Sequence, residues 1–358
     1  MYSLSCMEQD SIQKYDLQTR TNRYAMKYVY VLVSSPSDLY YEQAVMSVYS
    51  LRKHMPDADI EVLVDNKTNE SFTEKRTALK KYASNIISID FDDSIKNVER
   101  SRLIKTAIPE YIKDDFLYID CDTIIADSLS ELNDIPFVTA GVLDGHCMLN
   151  EHVHKNYFIQ RDKKLGFHAT KAQGYNINGG LVFARNSQET IDLFKKWNEL
   201  WKYSAYKKHD LHDQSALNEA NYQTGMKMQL LSGEWNCQPS QGGLAYLKDA
   251  KIIHYFSSEF SGKSYIPYYK LADKQLQMRL KDADDIPDDI KQMIDEPLLQ
   301  FNHVHLINDA RIISIMQSPL LFTLADMKQH IPWLFNILEG LAGFARKSGK
   351  LLKHALRR

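Results

Sequence analysis

Phe116-Leu117-Tyr118-Ile119-Asp120-Cys121-Asp122-Thr123-Ile124-Ile125 is the stretch on which the fold is decided. Its first four residues have the composition of a short buried strand, and the chain turns apolar again from Thr123 to Ala126. Two carboxylates are thereby held at a strand end against the edge of a core. Carboxylates so placed repel each other and lose hydration, which is costly unless a cation neutralises them. Hard oxygen ligands suit Mg²⁺ or Mn²⁺, ions that in turn bridge phosphate oxygens of a nucleotide. The triplet alone decides little, because Asp57/Asp59, Asp90/Asp92 and Asp282/Asp284 repeat it. Asp57/Asp59 follows Pro56 in a turn and Asp282/Asp284 lies in an acidic run, while Asp90/Asp92 is followed by Asp93 and Ser94 with nothing apolar to fix it. Context therefore singles out Asp120 and Asp122 as the candidate metal ligands.

Upstream, Tyr28 to Val33 reads as a first strand, closed by Ser34-Ser35-Pro36-Ser37-Asp38. Tyr41 to His54 spaces Ala44, Val45, Val48 and Leu51 as an amphipathic helix. Ile60 to Asp65 is a second strand, Phe72 to Tyr82 a second helix, Asn85 to Asp90 a third strand and Arg100 to Ile112 a third helix. Strand and helix alternating at this spacing predict an α/β fold, a mostly parallel sheet flanked by helices. Ligands in such sheets sit at the carboxyl ends of the strands. Downstream the alternation loosens: Phe137 to Leu143, Ile177 to Ala184 and Lys251 to Phe256 read as strands, Gln188 to Trp201 and Asp213 to Ala220 as helices. Residues 281–289 read as a solvated acidic loop. The organisation predicted is a polar extension over 1–26, a main domain over 27–265, a helical appendage over 266–330 and a basic tail over 331–358.

With 358 residues, 44% hydrophobic and 25% charged, the chain can bury a large core, which excludes a disulfide miniprotein and global disorder. Lys and Arg number 44 against 46 Asp and Glu, so the formal charge of −2 supplies no field for a polyanion and nucleic acid is not an expected partner. Cys6, Cys121, Cys147 and Cys237 are scattered without zinc-site or disulfide spacing, which fits a reducing compartment. Residues 1–24 lack the apolar stretch of a secretory signal, and no run approaches the ~20 apolar residues that span a bilayer. The location expected is cytoplasmic.

His254 lies in the apolar strand Lys251-Ile252-Ile253-His254-Tyr255-Phe256. By itself it fits a satisfied core histidine better than a ligand. Facing Asp120 and Asp122 it would complete a set of one nitrogen and two carboxylates suited to Mn²⁺.

The landmarks together resemble a known family. Phe116 to Thr123, preceded by Ser101-Arg102-Leu103 and followed by Tyr175-Asn176-Ile177-Asn178-Gly179-Gly180-Leu181-Val182-Phe183, Asp213-Gln214-Ser215-Ala216-Leu217-Asn218 and Ile252-Ile253-His254, is similar to the family eight glycosyltransferases. The resemblance implies a GT-A fold, a nucleotide-sugar donor, usually a UDP-hexose such as UDP-galactose or UDP-glucose, a Mn²⁺ or Mg²⁺ ion and transfer with retention of configuration. It implies Asp120, Asp122 and His254 as metal ligands. Arg102 matches the family's donor-contacting Arg, whose permanently charged fork suits phosphate or ribose oxygens; without the family it is a surface salt bridge on a helix. Asn178 matches the Asn near the sugar, and otherwise reads as a turn residue before Gly179-Gly180. Asp213 and Gln214 match the pair beside the anomeric carbon, where polar groups support oxocarbenium-like charge; Asp213 also reads as the N-cap of Gln214 to Ala220. The loop Ser34-Ser35-Pro36-Ser37-Asp38-Leu39-Tyr40 stands where the family's Asp-rich loop and Tyr hold uracil, so Asp38 and Tyr40 are carried over as base contacts with a single acid in place of several. Lys263 stands in for the phosphate-contacting Lys of Gly-x-x-Lys-Pro-Trp, at a different spacing and without the Pro-Trp.

The last segment reads as a separate device. Leu334, Ile337, Leu338, Leu341, Phe344, Ala345, Leu352 and Ala355 recur at helical spacing, and from Arg346 onward there are Lys and Arg but no acid. This fits an interfacial helix on an anionic membrane face, each basic side chain contributing about 1 kcal/mol; it fits equally a helix packed on the main domain. The reading that follows is a metal-dependent retaining hexosyltransferase extending a cell-surface glycan, lipopolysaccharide or capsule, on a lipid carrier. The alternatives are a glycogenin-like initiator that glucosylates its own Tyr, and a noncatalytic nucleotide-sugar or glycan-binding module. A nucleotidyltransferase is disfavoured because no Gly-rich phosphate loop with a signature Lys follows the first strand.

Overall fold

The computed structural model describes residues 26–256, 268–301 and 318–355. In chain order it runs β1 (Lys27–Leu32), α1 (Tyr40–His54), β2 (Asp59–Asp65), α2 (Asn66–Glu70), α3 (Leu79–Tyr82), β3 (Asn85–Ile89), α4 (Asn97–Lys105), α5 (Ile108–Tyr111), β4 (Phe116–Ile119), β5 (Thr123–Ile125) and β6 (Thr139–Val142). It continues through α6 (Lys155–Leu165), α7 (Ala169–Gln173), β7 (Leu181–Ala184), α8 (Gln188–Lys208), α9 (Gln214–Gln223), β8 (Gln229–Leu231), β9 (Ile252–His254), α10 (Lys274–Lys281) and α11 (Asp288–Asp295). The residues fall into two units, the first ending at Gln300; the second, from Phe301, contains α12 (Pro319–His330) and α13 (Pro332–Ala355).

The apolar runs of β1, β2 and β4 are buried on both faces, as a sheet covered by helices requires. The sheet order is β3-β2-β1-β4-β7-β6-β8. β3, β2, β1 and β4 are parallel, as expected; β7 is inserted antiparallel between β4 and β6, and β8 pairs parallel with β6. A second, two-stranded sheet pairs β5 antiparallel with β9. Under the main sheet, Phe116 and Phe194 meet edge to face at 5.6 Å, and Trp197 and Trp201 of α8 are fully buried beside them. Replacing such a core aromatic by Ala typically costs about 3–5 kcal/mol.

Several elements differ from the expected spans for identifiable reasons. The helix expected over Phe72 to Tyr82 forms only at α3. Arg76 instead turns inward, its Nη2 donating to Ser34 Oγ at 3.1 Å and its guanidinium lying 4.4 Å over the Tyr41 ring, and this ties the segment to the loop after β1. The helix expected over Arg100 to Ile112 ends at Lys105 and resumes as the single turn α5, with Pro109 near its start, where a missing N–H is harmless. The strand expected from Ile177 shortens to β7: Ile177 makes only an isolated bridge to Leu143, and Gly179 and Gly180 form a turn. The acidic loop is partly tied down, since Tyr82 Oη donates to Asp285 Oδ1 at 2.7 Å.

Candidate active site

Two strand registers assemble the site. Where β4 ends, the Asp120 N–H donates to the Gly180 carbonyl at 2.8 Å, continuing the β4–β7 ladder. Thr123 of β5 pairs with His254 of β9, and the Tyr255 N–H donates to the Asp122 carbonyl at 3.1 Å. Asp120, Asp122 and His254 therefore converge, each offering a ligand atom within 4.8 Å of the others, with His254 Nε2 at 3.2 Å from Asp122 Oδ1. The three line a cleft of about 460 Å³ together with Arg102, Asn178, Asp213, Gln214, Asp38 and Tyr40. Sequence reasoning placed all of these at one site, and they share one cavity.

Burial alone would push the His254 imidazole pKa down, but the Asp122 carboxylate outweighs it and the net shift is upward. Burial, reinforced by Asp120 and Asp122, pushes the Cys121 thiol far up, so it stays a protonated bystander between the two acids. Tyr118, whose phenol is raised by burial and by Asp120, donates its O–H to Asp120 Oδ1.

Asp213 opens α9 at the N-cap position, yet its carboxylate caps nothing. It faces two cations: Arg102 Nε at 3.0 Å and Lys105 Nζ at 2.9 Å. Burial would raise its pKa, but these cations outweigh burial and hold the group well below the usual carboxylate range. Both cations come from one face of α4, three residues apart. Arg102 is thus not a surface helix salt bridge. The Asp213 backbone is fixed from below, its carbonyl accepting a hydrogen bond from Trp197 Nε1 at 3.0 Å. Gln214 Oε1 accepts from the Gly179 N–H at 3.2 Å.

Gly180 has the least room of the site glycines. A Cβ there would lie 2.4 Å from His254 Cε1 and 2.8 Å from Asp120 Oδ2, so the space beside the triad exists because position 180 has no side chain. Asn178 is buried, donating to Asp144 Oδ1 at 2.7 Å and accepting from the Gly180 N–H at 2.9 Å and from Asn236 Nδ2 at 3.1 Å. Asp38 spends its carboxylate on its own loop, accepting from Ser34 Oγ, Ser35 N, Ser35 Oγ and Tyr40 N at 2.7–3.1 Å. It reaches the cleft as the staple of that loop, while Tyr40 is half exposed above it. Lys263 lies outside the described residues.

Sequence reasoning missed Lys105, Asn236 and Asp144. Lys105, 3% exposed, bridges Asp213 and Asp120, the latter at 3.3 Å. The only sequence signal for it was its i+3 relation to Arg102. Asn236 accepts from His254 Nδ1 at 3.0 Å; nothing local in Glu234-Trp235-Asn236 marks it.

Among solved structures, galactosyltransferase LgtC, crystallised with donor and acceptor sugar analogues, is 17% identical over 75% of this chain and 99% of its own, with a TM-score of 0.47. Mouse xyloside xylosyltransferase 1 in its apo form is 14% identical over 66% of this chain and 98% of its own, with a TM-score of 0.42. The glycosyltransferase GlyE of Streptococcus pneumoniae TIGR4 is 17% identical over 77% of this chain and 63% of its own, at 0.45. None of the curated proteins compared matches the chain. The sequence profile described as Glycosyl transferase family 8 matches residues 31–259, most of the first unit. The expected α/β architecture, a mostly parallel sheet flanked by helices, is the one observed, and the chain belongs to glycosyl transferase family 8 and is a glycosyltransferase.

Proposed function

We propose that the enzyme is a metal-dependent, retaining hexosyltransferase that takes galactose or glucose from its UDP-sugar and adds it to a cell-surface glycan acceptor, as in lipopolysaccharide or capsule synthesis. The convergence of Asp120, Asp122 and His254 within 4.8 Å of one another, in a cleft also lined by Arg102, Asp213 and Gln214, carries the reading. The residues fit a divalent cation: two carboxylates and one imidazole supply hard and borderline ligands, and Gly180 leaves the space free. A bound Mn²⁺ or Mg²⁺ would neutralise charge on the departing diphosphate. The bond that breaks joins the anomeric carbon to the diphosphate oxygen, releasing UDP; the new bond joins that carbon to an acceptor oxygen, whose proton passes to the departing diphosphate. Arg102 and Lys105 put two positive charges beside the diphosphate, and Asp213 keeps both in place while itself remaining anionic. Asp213 and Gln214, at the start of α9, line the sugar and support positive charge at the anomeric carbon. Asn178 positions the sugar, Tyr40 meets the base from the loop that Asp38 staples, and Lys263 would add a phosphate contact. In this reading the catalytic domain spans 27–265, followed by a helical appendage over 266–330.

A thermal-shift screen of UDP-, GDP- and CDP-sugars with and without Mn²⁺ tests the site. A UDP-hexose should stabilise the chain in the presence of Mn²⁺, and Asp122→Asn should abolish the metal-dependent part. Unchanged stabilisation in that variant would remove the metal assignment.

The proposal extends to the inner membrane face. No helix among the described residues is long and apolar enough to cross a membrane. Leu320, Phe322, Trp333, Leu341 and Phe344 on α12 and α13 are nonetheless largely exposed, and the sequence beyond is basic. Apolar side chains beside a basic end suit peripheral contact with anionic lipid through 331–358, which would bring a lipid-linked acceptor within reach. The chain should float with phosphatidylglycerol vesicles, and a chain truncated before residue 331 should not. Equal flotation would end this part of the proposal.

A further inference from the structure

Behind the proposed metal site a line of buried polar groups runs away from His254. His254 Nδ1 lies 3.0 Å from Asn236 Oδ1, Asn236 Nδ2 lies 3.1 Å from Asn178 Oδ1, and Asn178 Nδ2 lies 2.7 Å from Asp144 Oδ1. On the far side of Asp144, His152 Nε2 stands 3.4 Å from Oδ2. All five side chains are buried.

The direction of the bonds between His254 and Asp144 follows from one backbone group. The Gly180 N–H can only donate, and it meets Asn178 at 2.9 Å, so the atom of Asn178 facing it is the carbonyl oxygen. The Asn178 amide nitrogen is then the atom that meets Asp144. Asn236 approaches the same Asn178 oxygen, so it presents its amide nitrogen there and its own oxygen to His254. An amide oxygen accepts only, so His254 Nδ1 must carry the proton. At the far end, His152 Nδ1 accepts from the His154 N–H at 2.9 Å, which leaves the proton of the neutral ring on Nε2, toward Asp144.

The three donors on the His254 side therefore run one after another toward the Asp144 carboxylate, while His152 Nε2 stands beside it without a hydrogen bond. We infer that Asp144, acting through Asn178 and Asn236, holds the proton of the neutral His254 ring on Nδ1, so that Nε2, which faces the Asp122 carboxylate at 3.2 Å, is the nitrogen offered to a cation that enters between them. This rests on the metal site proposed above. It gives the site an indirect form of the carboxylate–histidine–metal arrangement, in which an outer acceptor sets ring orientation and raises ligand basicity. Hydrogen bonds in such a chain polarise one another, so the remote carboxylate is felt at the ring. Asn236 is a positioning residue, and Asn178 belongs both to this relay and to the cleft, which joins the metal ligand to the proposed sugar subsite.

The test reads the tautomer directly, without metal or turnover. Long-range ¹H–¹⁵N correlation on the full chain with ¹⁵N-labelled histidine, at a pH where the ring is neutral, should show His254 protonated at Nδ1, the signal being assigned by its loss in His254→Gln. A neutral ring protonated at Nε2 in the wild type would overturn the relay. Asn236→Leu should release the preference and weaken Mn²⁺ binding, followed by electron paramagnetic resonance, by about 10–100-fold. Asn236→Asp retains an acceptor and should keep the Nδ1–H form. Tight Mn²⁺ binding by Asn236→Leu equal to wild type would also overturn the inference. If His254→Gln binds Mn²⁺ as wild type does, the metal-site reading fails instead.

Discussion

Lys105 Nζ lies 2.9 Å from Asp213 Oδ2, joining the end of α4 to the start of α9 across the floor of the cleft. Both side chains are nearly removed from solvent, 3% and 10% exposed. Removing one partner of a buried pair costs up to about 3–5 kcal/mol, and because Arg102 would still lie 3.0 Å from Asp213, the lower end of that range applies here. Lys105→Met is therefore expected to lower unfolding stability in urea by that order and to reduce stabilisation by a nucleotide sugar. A variant within about 0.5 kcal/mol of wild type, in the range of ordinary surface substitutions, would show the pair to be incidental.

Positions 179 and 180 should respond oppositely to the same substitution. In Gly180→Ala the new methyl meets His254 and Asp120 at under 3 Å, whereas in Gly179→Ala the nearest atom is Lys105 Nζ at 3.7 Å. Overpacking of this kind costs about 1–3 kcal/mol. Gly180→Ala should fold with reduced stability and lose turnover, and Gly179→Ala should keep both. Equal activity in the two variants would contradict the role assigned to the bare position 180.

Trp197 links the core to the site through one hydrogen bond. Trp197→Phe keeps an aromatic ring under the sheet but strips the donor from the Asp213 carbonyl. An orphaned buried acceptor costs about 1–3 kcal/mol. The expected result is a loss of that size in chemical denaturation, together with a lowered kcat because Asp213 is no longer held from below. A stability loss with unchanged kcat would separate the core from the chemistry.

His146 should contribute to acid sensitivity. Burial lowers its imidazole pKa to about 4, only partly offset by Asp144, and its Nε2 accepts from the Gln238 N–H at 3.0 Å. The unfolded ring titrates near 6.5. Between these values the unfolded chain binds a proton that the folded chain refuses, so stability falls as pH falls from about 6.5 to about 4 and levels off below. His146→Gln should flatten this part of the profile, read as urea midpoints at pH 7.5, 5.5 and 4.5. Parallel profiles would rule the residue out as a source.

The strands with continuous apolar runs and the strand-end carboxylates were legible because both signals are local. Asp120 and Asp122 stood out against three other Asp-x-Asp triplets because apolar residues flank them on both sides. His254 was ambiguous alone, since its role depends on pairing with Thr123, more than a hundred residues away. Lys105, Asn236 and Asp144 were invisible for the same reason: each acquires its role from a partner on another element. Asp213 shows a local rule overridden. Its position at the start of α9 invites capping, but two cations from α4 attract the carboxylate more strongly than the helix amides do. The Phe72 to Tyr82 helix was lost to Arg76, whose charge found Ser34 and the Tyr41 ring across the fold.

The antiparallel placement of β7 ties the proposed active site to the alignment of one strand pair. Ile119 faces Leu181 in the β4–β7 ladder, and Gly180 follows on beside Asp120. A slip of a single residue would bring the Leu181 isobutyl group to that place and invert the faces of the strand. The slipped molecule could keep most of its helices and much of its core, yet the space beside Asp120 proposed for a cation would be plugged with hydrocarbon. Such a protein would be soluble to a fractionation assay and silent to an activity assay, so the yield of active enzyme on refolding measures how faithfully four residues of β7 find their partners.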